Sequence, residues 1–178
     1  MSPVTRRAVE RDRDATSTDP ETSARFSIEV HAPIERAFDV FTIGIDSWWP
    51  RDHRVGGVEM ASAVLEPRTG GRWYEVGVDG TTSDWGLVLV WDPPRHVAMS
   101  WHLDGDFRYD AHRGASSRVD VFFEAVDPTT TTVTLVHSGL DRHGESWIRL
   151  RDAISRGWPR DLRRFADASS LDTNVSEH

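Results

Sequence analysis

Between residues 147 and 165 six apolar side chains, Trp147, Leu150, Ile154, Trp158, Leu162 and Phe165, recur at spacings of three and four. That period makes an amphipathic helix, predicted over about Glu145 to Ala168, whose single apolar stripe has to be covered. What precedes it has a different period. Apolar residues alternate with polar ones over Phe26 to His31. Six further stretches read the same way: Ala61 to Glu66, Arg72 to Val78, Ser83 to Trp91, Arg95 to Leu103, Arg118 to Val126 and Thr132 to Ser138. Alternation marks strands with one buried face. A sheet with one apolar face and a terminal helix to cover it belongs to the α+β layer architectures.

Local signals place the remaining elements. Pro33 suits a first helical turn, and Ile34, Ala37, Phe38 and Phe41 follow at helical spacing. A short second helix is predicted from Gly44 to Trp49, stopped by Pro50. Gly70-Gly71, Asp79-Gly80, Asp92-Pro93-Pro94 and Asp127-Pro128 are turn signals that set the strands in an antiparallel meander. Asp104 to Ala115 is polar, carries two glycines, and is expected to be a longer mobile connection, a candidate lid. Pro159, lacking an amide donor, should bend the last helix or delay its start. Residues 1–24 and 171–178 have the composition of disordered tails, leaving one domain over 25–170.

Composition removes several function classes. There is no Cys, which excludes disulfides and thiolate chemistry, and every basic side chain is Arg, which excludes Schiff bases and a P-loop lysine. A net charge of −8 argues against a nucleic-acid partner. No apolar run reaches the length of a membrane span and no secretion signal is visible, so a cytoplasmic location is expected. The eight His show no metal-ligand spacing, and Asp104, Asp106 and Asp110 lack the pattern of a calcium loop. No metal and no cofactor is expected.

Four motifs along the chain carry a resemblance. They are the opening strand with Ala32-Pro33 and Ala37-Phe38; the Trp48-Trp49-Pro50 corner; Gly70-Gly71-Arg72 running into Glu75, Asp79-Gly80 and Gly86; and His137-Ser138-Gly139 with Gly157-Trp158. In this order the chain resembles the START-like (SRPBCC, helix-grip) superfamily and, within it, homologues of the activator of heat-shock-protein ATPase. The resemblance implies a curved antiparallel sheet of six to seven strands around a long C-terminal helix, two short helices after the first strand, and an apolar cavity between sheet and helix.

Candidate residues follow from the faces. Trp85, Trp91, Trp101 and Phe123 lie on apolar strand faces opposite Ile154 and Trp158. With Trp49 they could line a ligand cavity or fill a solid core. On the third strand Trp73, Glu75 and Gly77 share one face, and Tyr74, Val76 and Val78 the other, which is the more apolar. Glu75 is therefore exposed, or points inward beside Trp73 with Gly77 leaving space, as the resemblance implies. His137 continues the inward face of Val133 and Leu135, either as an acid or base or as a satisfied core histidine. His102 falls opposite the aromatic set and is expected to be exposed.

Three functions are open to such a chain. The first is noncatalytic binding of a small hydrophobic molecule, with Glu75 and His137 as polar handles. The second is a cyclase- or dehydratase-like reaction, known among START-like relatives, using Glu75 and His137 as acid and base. The third is a stress-related, co-chaperone-type interaction, which the family name suggests. A homodimer through an exposed sheet edge is compatible with all three.

Overall fold

In the computed structural model, which describes residues 19–170, the chain forms β1 (Ala24–Val30), α1 (Ile34–Phe41), six strands and α2 (Trp147–Ser169). The strands are β2 (Met60–Leu65), β3 (Arg72–Gly77), β4 (Thr82–Asp92), β5 (His96–Trp101), β6 (Ser117–Asp127) and β7 (Thr130–Ser138). Three short 3-10 segments, Ile45–Ser47, Arg113–Ala115 and Leu140–Ser146, complete the order. All seven strands join one antiparallel sheet in the order β1-β7-β6-β5-β4-β3-β2. The sheet curves around α2, which is the helix-grip arrangement.

The expected elements are present with ends shifted by at most two residues. Residues 19–23 form a turn whose Thr22 carbonyl accepts the amide of Leu140 at 3.0 Å, so order begins ahead of Arg25. The rest of the expected tails lies outside the described residues. Pro159 does not delay the start of α2, which begins at Trp147 and runs through it.

Register shifts re-aim the sheet. On β4, Trp85 and Leu89 are extra residues: Trp73 pairs with Gly86 but Tyr74 with Asp84, and Val88 pairs with Met99 but Val90 with Ala98. Such bulges bend a strand and change which side chains face inward. Trp85 and Val88 are therefore both buried, while Leu89 is exposed and Trp91 only half-buried against Phe38. Gly86 sits against the β5 backbone at Ser100. A Cβ there would overlap the Ser100 carbonyl oxygen, so no other residue fits without moving a strand.

The odd-numbered face of β3, not the more apolar even one, is inward: Trp73, Glu75 and Gly77 are buried, and Val78 is exposed. The missing side chain of Gly77 makes room for Val58, Asp79 and Thr81 rather than for Glu75. Phe41, Trp48 and Phe165 close the core between α1 and α2. No helix among the described residues is long and apolar enough to cross a membrane.

Candidate functional site

Four segments converge beside the middle of α2. The helix supplies Ile154, Trp158 and Asp161, β5 supplies Trp101, the connection after α1 supplies His53, and the connection after β5 supplies Phe107. They enclose a crevice of about 20 Å³, close to the space of one water molecule.

Asp161 is the unusual member. Spacings of four, three and four from Ile154 through Trp158 to Phe165 set it on the helix's buried stripe, and it is 3% exposed. Its carboxylate lies 4.0 Å from His53 Nε2 and 3.5 Å from Arg160 Nε, and Arg160 also contacts the His53 ring. Burial pushes its carboxyl up from the usual range, while the charges of His53, Arg160 and Arg164 act the other way. A buried carboxylate with long, partial pairing is costly unless something else uses it.

Glu75 positions the His53 segment. Its Oε1 accepts the amides of Val55 and, at 2.7 Å, of Gly56, two and three residues beyond His53. Its place inward, 2% exposed, is thereby satisfied from the backbone. Phe107 is held on a tight hairpin: Asp104 Oδ1 accepts the amides of Asp106 and Arg108 at 2.8 and 3.0 Å, and Leu103 bridges Tyr109. Gly105 donates to Ser146 Oγ at 2.9 Å, tying the hairpin to the start of α2. Phe107 itself is 38% exposed and has φ of 58°, a left-handed conformation that costs a bulky residue about 1–3 kcal/mol.

The expected aromatic set is only partly one cluster. Trp49, Trp85, Trp101 and Trp158 meet directly or through Trp73, with ring centroids 5.1 to 6.1 Å apart. Trp73 and Trp85 stack at 28°, the others meet edge to face, and all are at most 4% exposed. Phe123 stands apart, against Phe38 and Phe41. The indoles fill the space between sheet and helix, and the crevice is what they leave open at its edge.

His137 lies wholly inside. The Trp158 indole, a donor only, gives its hydrogen to Nδ1 at 3.2 Å, which leaves Nε2 to donate to Ser117 Oγ at 2.8 Å. At the other end the Ser117 amide donates to His143 Nε2 at 3.2 Å, so that nitrogen is an acceptor and takes the Ser117 hydroxyl hydrogen at 2.8 Å. Both imidazoles are thus neutral, in fixed tautomers. Burial pushes His137 down to about 3 and His143 down to about 4, with the His143 charge adding to the first and Asp104 opposing the second.

His102 is buried, not exposed. It does face away from the aromatic set, but the 104–115 connection folds back over it: Nδ1 meets the Asp110 carbonyl at 2.7 Å and Nε2 meets Ser100 Oγ at 2.9 Å. His53, Phe107 and Asp161 escaped the sequence reading. A carboxylate in register with an apolar helix stripe was a readable sign for Asp161. His53 and Phe107 lie in irregular connections and carried none. Among the described residues no group of three His, Asp or Glu could hold a metal ion. A larger open groove of about 430 Å³ lies between Asp46, Arg51, Arg164 and Asp167, and its rim charges are largely solvated.

The family model described as activator of Hsp90 ATPase homolog 1-like protein matches residues 31–169. No curated protein matches the chain significantly. Among solved structures, an anthrahydroquino-γ-pyrone synthase is 37% identical with a TM-score of 0.61, over 84% of this chain and 99% of that one. The self-sacrificing resistance protein CalC of Micromonospora echinospora is 33% identical with a TM-score of 0.61, over 83% and 94%. A protein of Nitrosomonas europaea at 13% identity and a TM-score of 0.61, over 84% and 95%, shares the fold.

Proposed function

Since the chain belongs to the activator of Hsp90 ATPase homolog 1-like family, we propose that it binds a small aromatic molecule at the edge of the indole cluster, between α2 and the sheet. The carrying observation is the crevice itself, where the Trp101 and Trp158 rings and Ile154 meet the polar side chains of His53 and Asp161. Apolar walls with a few convergent polar groups are the makeup of small-molecule sites. The 37% identity to a synthase of an anthrahydroquino-γ-pyrone supports a fused-ring ligand.

The test uses 1,8-dihydroxyanthraquinone. Titration is expected to change tryptophan emission saturably at one molecule per chain, and native mass spectrometry beside a denatured control should show the added mass. Unchanged emission with no retained mass would overturn the reading.

The identity to a synthase also favours a catalytic version, cyclisation with Glu75 and His137 as acid and base. Both nitrogens of His137 are hydrogen-bonded inside the protein, so it would have to exchange a present partner for substrate, and Glu75 Oε1 already accepts two backbone amides. That version requires loss of turnover in both Glu75→Gln and His137→Ala with the fold retained. The co-chaperone-type reading rests on the family description alone, and a pull-down without chaperone enrichment would remove it.

A further inference from the structure

Resting on the binding reading above, we infer that Asp161 is the acceptor for a hydroxyl on an aromatic ligand, and that this ligand takes the place now occupied by the ring of Phe107.

Three observations converge on that assignment. The Asp161 carboxylate is 3% exposed, lies on the apolar stripe of α2, and lines the crevice, yet its contacts to Arg160 Nε and His53 Nε2 are long, at 3.5 and 4.0 Å. Carboxylates accept strong hydrogen bonds at about 2.5–2.7 Å from O–H donors, so Asp161 has acceptor capacity to spare, facing aromatic walls.

The surrounding charges decide what kind of donor fits. An aromatic-walled pocket with a carboxylate could also take an organic cation. Here the guanidinium of Arg160 sits beside Asp161 and Arg164 adds to it, so a second cation would meet like charge. A neutral hydroxyl does not. A phenolic or enolic O–H on a planar ring satisfies both features, the ring against Trp101, Ile154 and Trp158 and the hydrogen on Asp161.

Phe107 explains the volume. About 20 Å³ cannot hold an aromatic ring, whereas ligand pockets run to roughly 300 Å³ or more. Phe107 comes from an exposed hairpin tip, is the one wall residue that is substantially exposed, and sits in a left-handed conformation that a phenylalanine adopts only at a cost. Its displacement opens the crevice without moving the sheet or α2. The ion pair from Arg149 to Asp106 at 3.0 Å is solvent-exposed and opposes that movement weakly.

Equilibrium dialysis of naphthalene and 2-naphthol, which differ by one hydroxyl, tests this against wild type, Asp161→Asn and Phe107→Ala. Wild type is expected to hold 2-naphthol about tenfold tighter than naphthalene, the size of one charge-assisted hydrogen bond. Asp161→Asn should bring the two within about threefold, chiefly by weakening 2-naphthol. Phe107→Ala should strengthen both while keeping the preference. If wild type binds the two alike, or Asp161→Asn keeps the full preference, the role of Asp161 is overturned while binding of the dihydroxyanthraquinone still stands. If Phe107→Ala leaves both affinities unchanged, the displacement is overturned; this variant lies at an exposed tip and also decides the placement should Asp161→Asn fold poorly. If none of the three aromatics binds, the inference and the proposed function fall together.

Discussion

Two buried histidines and one buried aspartate pull the pH response in opposite senses. His137 and His143 are held neutral in the fold, down to about 3 and about 4, whereas in the unfolded chain each takes a proton near its ordinary value of 6.5. The unfolded state therefore binds more protons below about pH 6.5. Stability is full above that value and falls with acidity until the folded pKa is reached, by about 1.4 kcal/mol per pH unit for each histidine in its window. Urea midpoints between pH 7 and 4 should show the fall, and His143→Gln should flatten part of it. Asp161 works the other way: its folded pKa is raised, so the charged form costs stability that is recovered in acid. Asp161→Asn is expected to raise the melting temperature at pH 7, with the gain shrinking as pH is lowered. Trp158→Phe keeps most of the ring but removes the hydrogen on His137 Nδ1, and leaving that buried acceptor unpaired should cost about 1–3 kcal/mol in urea unfolding. At this scale the sequence was legible where side-chain parity was regular, as for His137. It was not where a backbone connection supplies the partner, as Val55 and Gly56 do for Glu75, or a cover, as Asp110 does for His102.

Elements were readable because each has one strong period. Trp147 to Phe165 gives α2, and Val119, Val121, Val133 and Leu135 give the paired inner faces of β6 and β7. Bulges break that parity. Trp85 and Leu89 on β4 are extra residues that no local composition marks, and they leave Trp91 half-buried beside Phe38 rather than within the indole cluster. The even face of β3 is the more apolar one, yet Trp73 alone carries enough buried area to turn the odd face inward. The sharpest prediction at this scale concerns Gly86. Gly86→Ala puts a methyl onto the Ser100 carbonyl of the neighbouring strand, and the resulting backbone displacement should cost about 2 kcal/mol or more, read as a lowered urea midpoint. The same substitution at Gly57, where a Cβ meets nothing within 4 Å, is the control and should be nearly neutral.

Across the whole molecule, the indoles bind distant segments into one unit. Trp48 and Trp49 come from the corner after α1, Trp73, Trp85 and Trp101 from three adjacent strands, and Trp158 from the terminal helix, each within 6.1 Å of another. Unfolding should therefore be a single transition, with tryptophan emission and far-ultraviolet circular dichroism giving coincident urea curves. Separate midpoints would mean that α2 leaves the sheet before the sheet melts. The fold class was legible because a helix stripe and one-sided strands demand each other. The candidate site was only half legible: its walls and Asp161 came from periodic elements, His53 and the Phe107 cover from the connections between them. Rings this close also share their excited states. Energy absorbed by one of the six indoles passes between neighbouring rings 5.1 to 6.1 Å apart, so emission is shared among five parts of the chain. A change at Trp158, on the rim of the crevice, is then broadcast by rings as distant as Trp48, and the protein reports events at its edge through the colour of its centre.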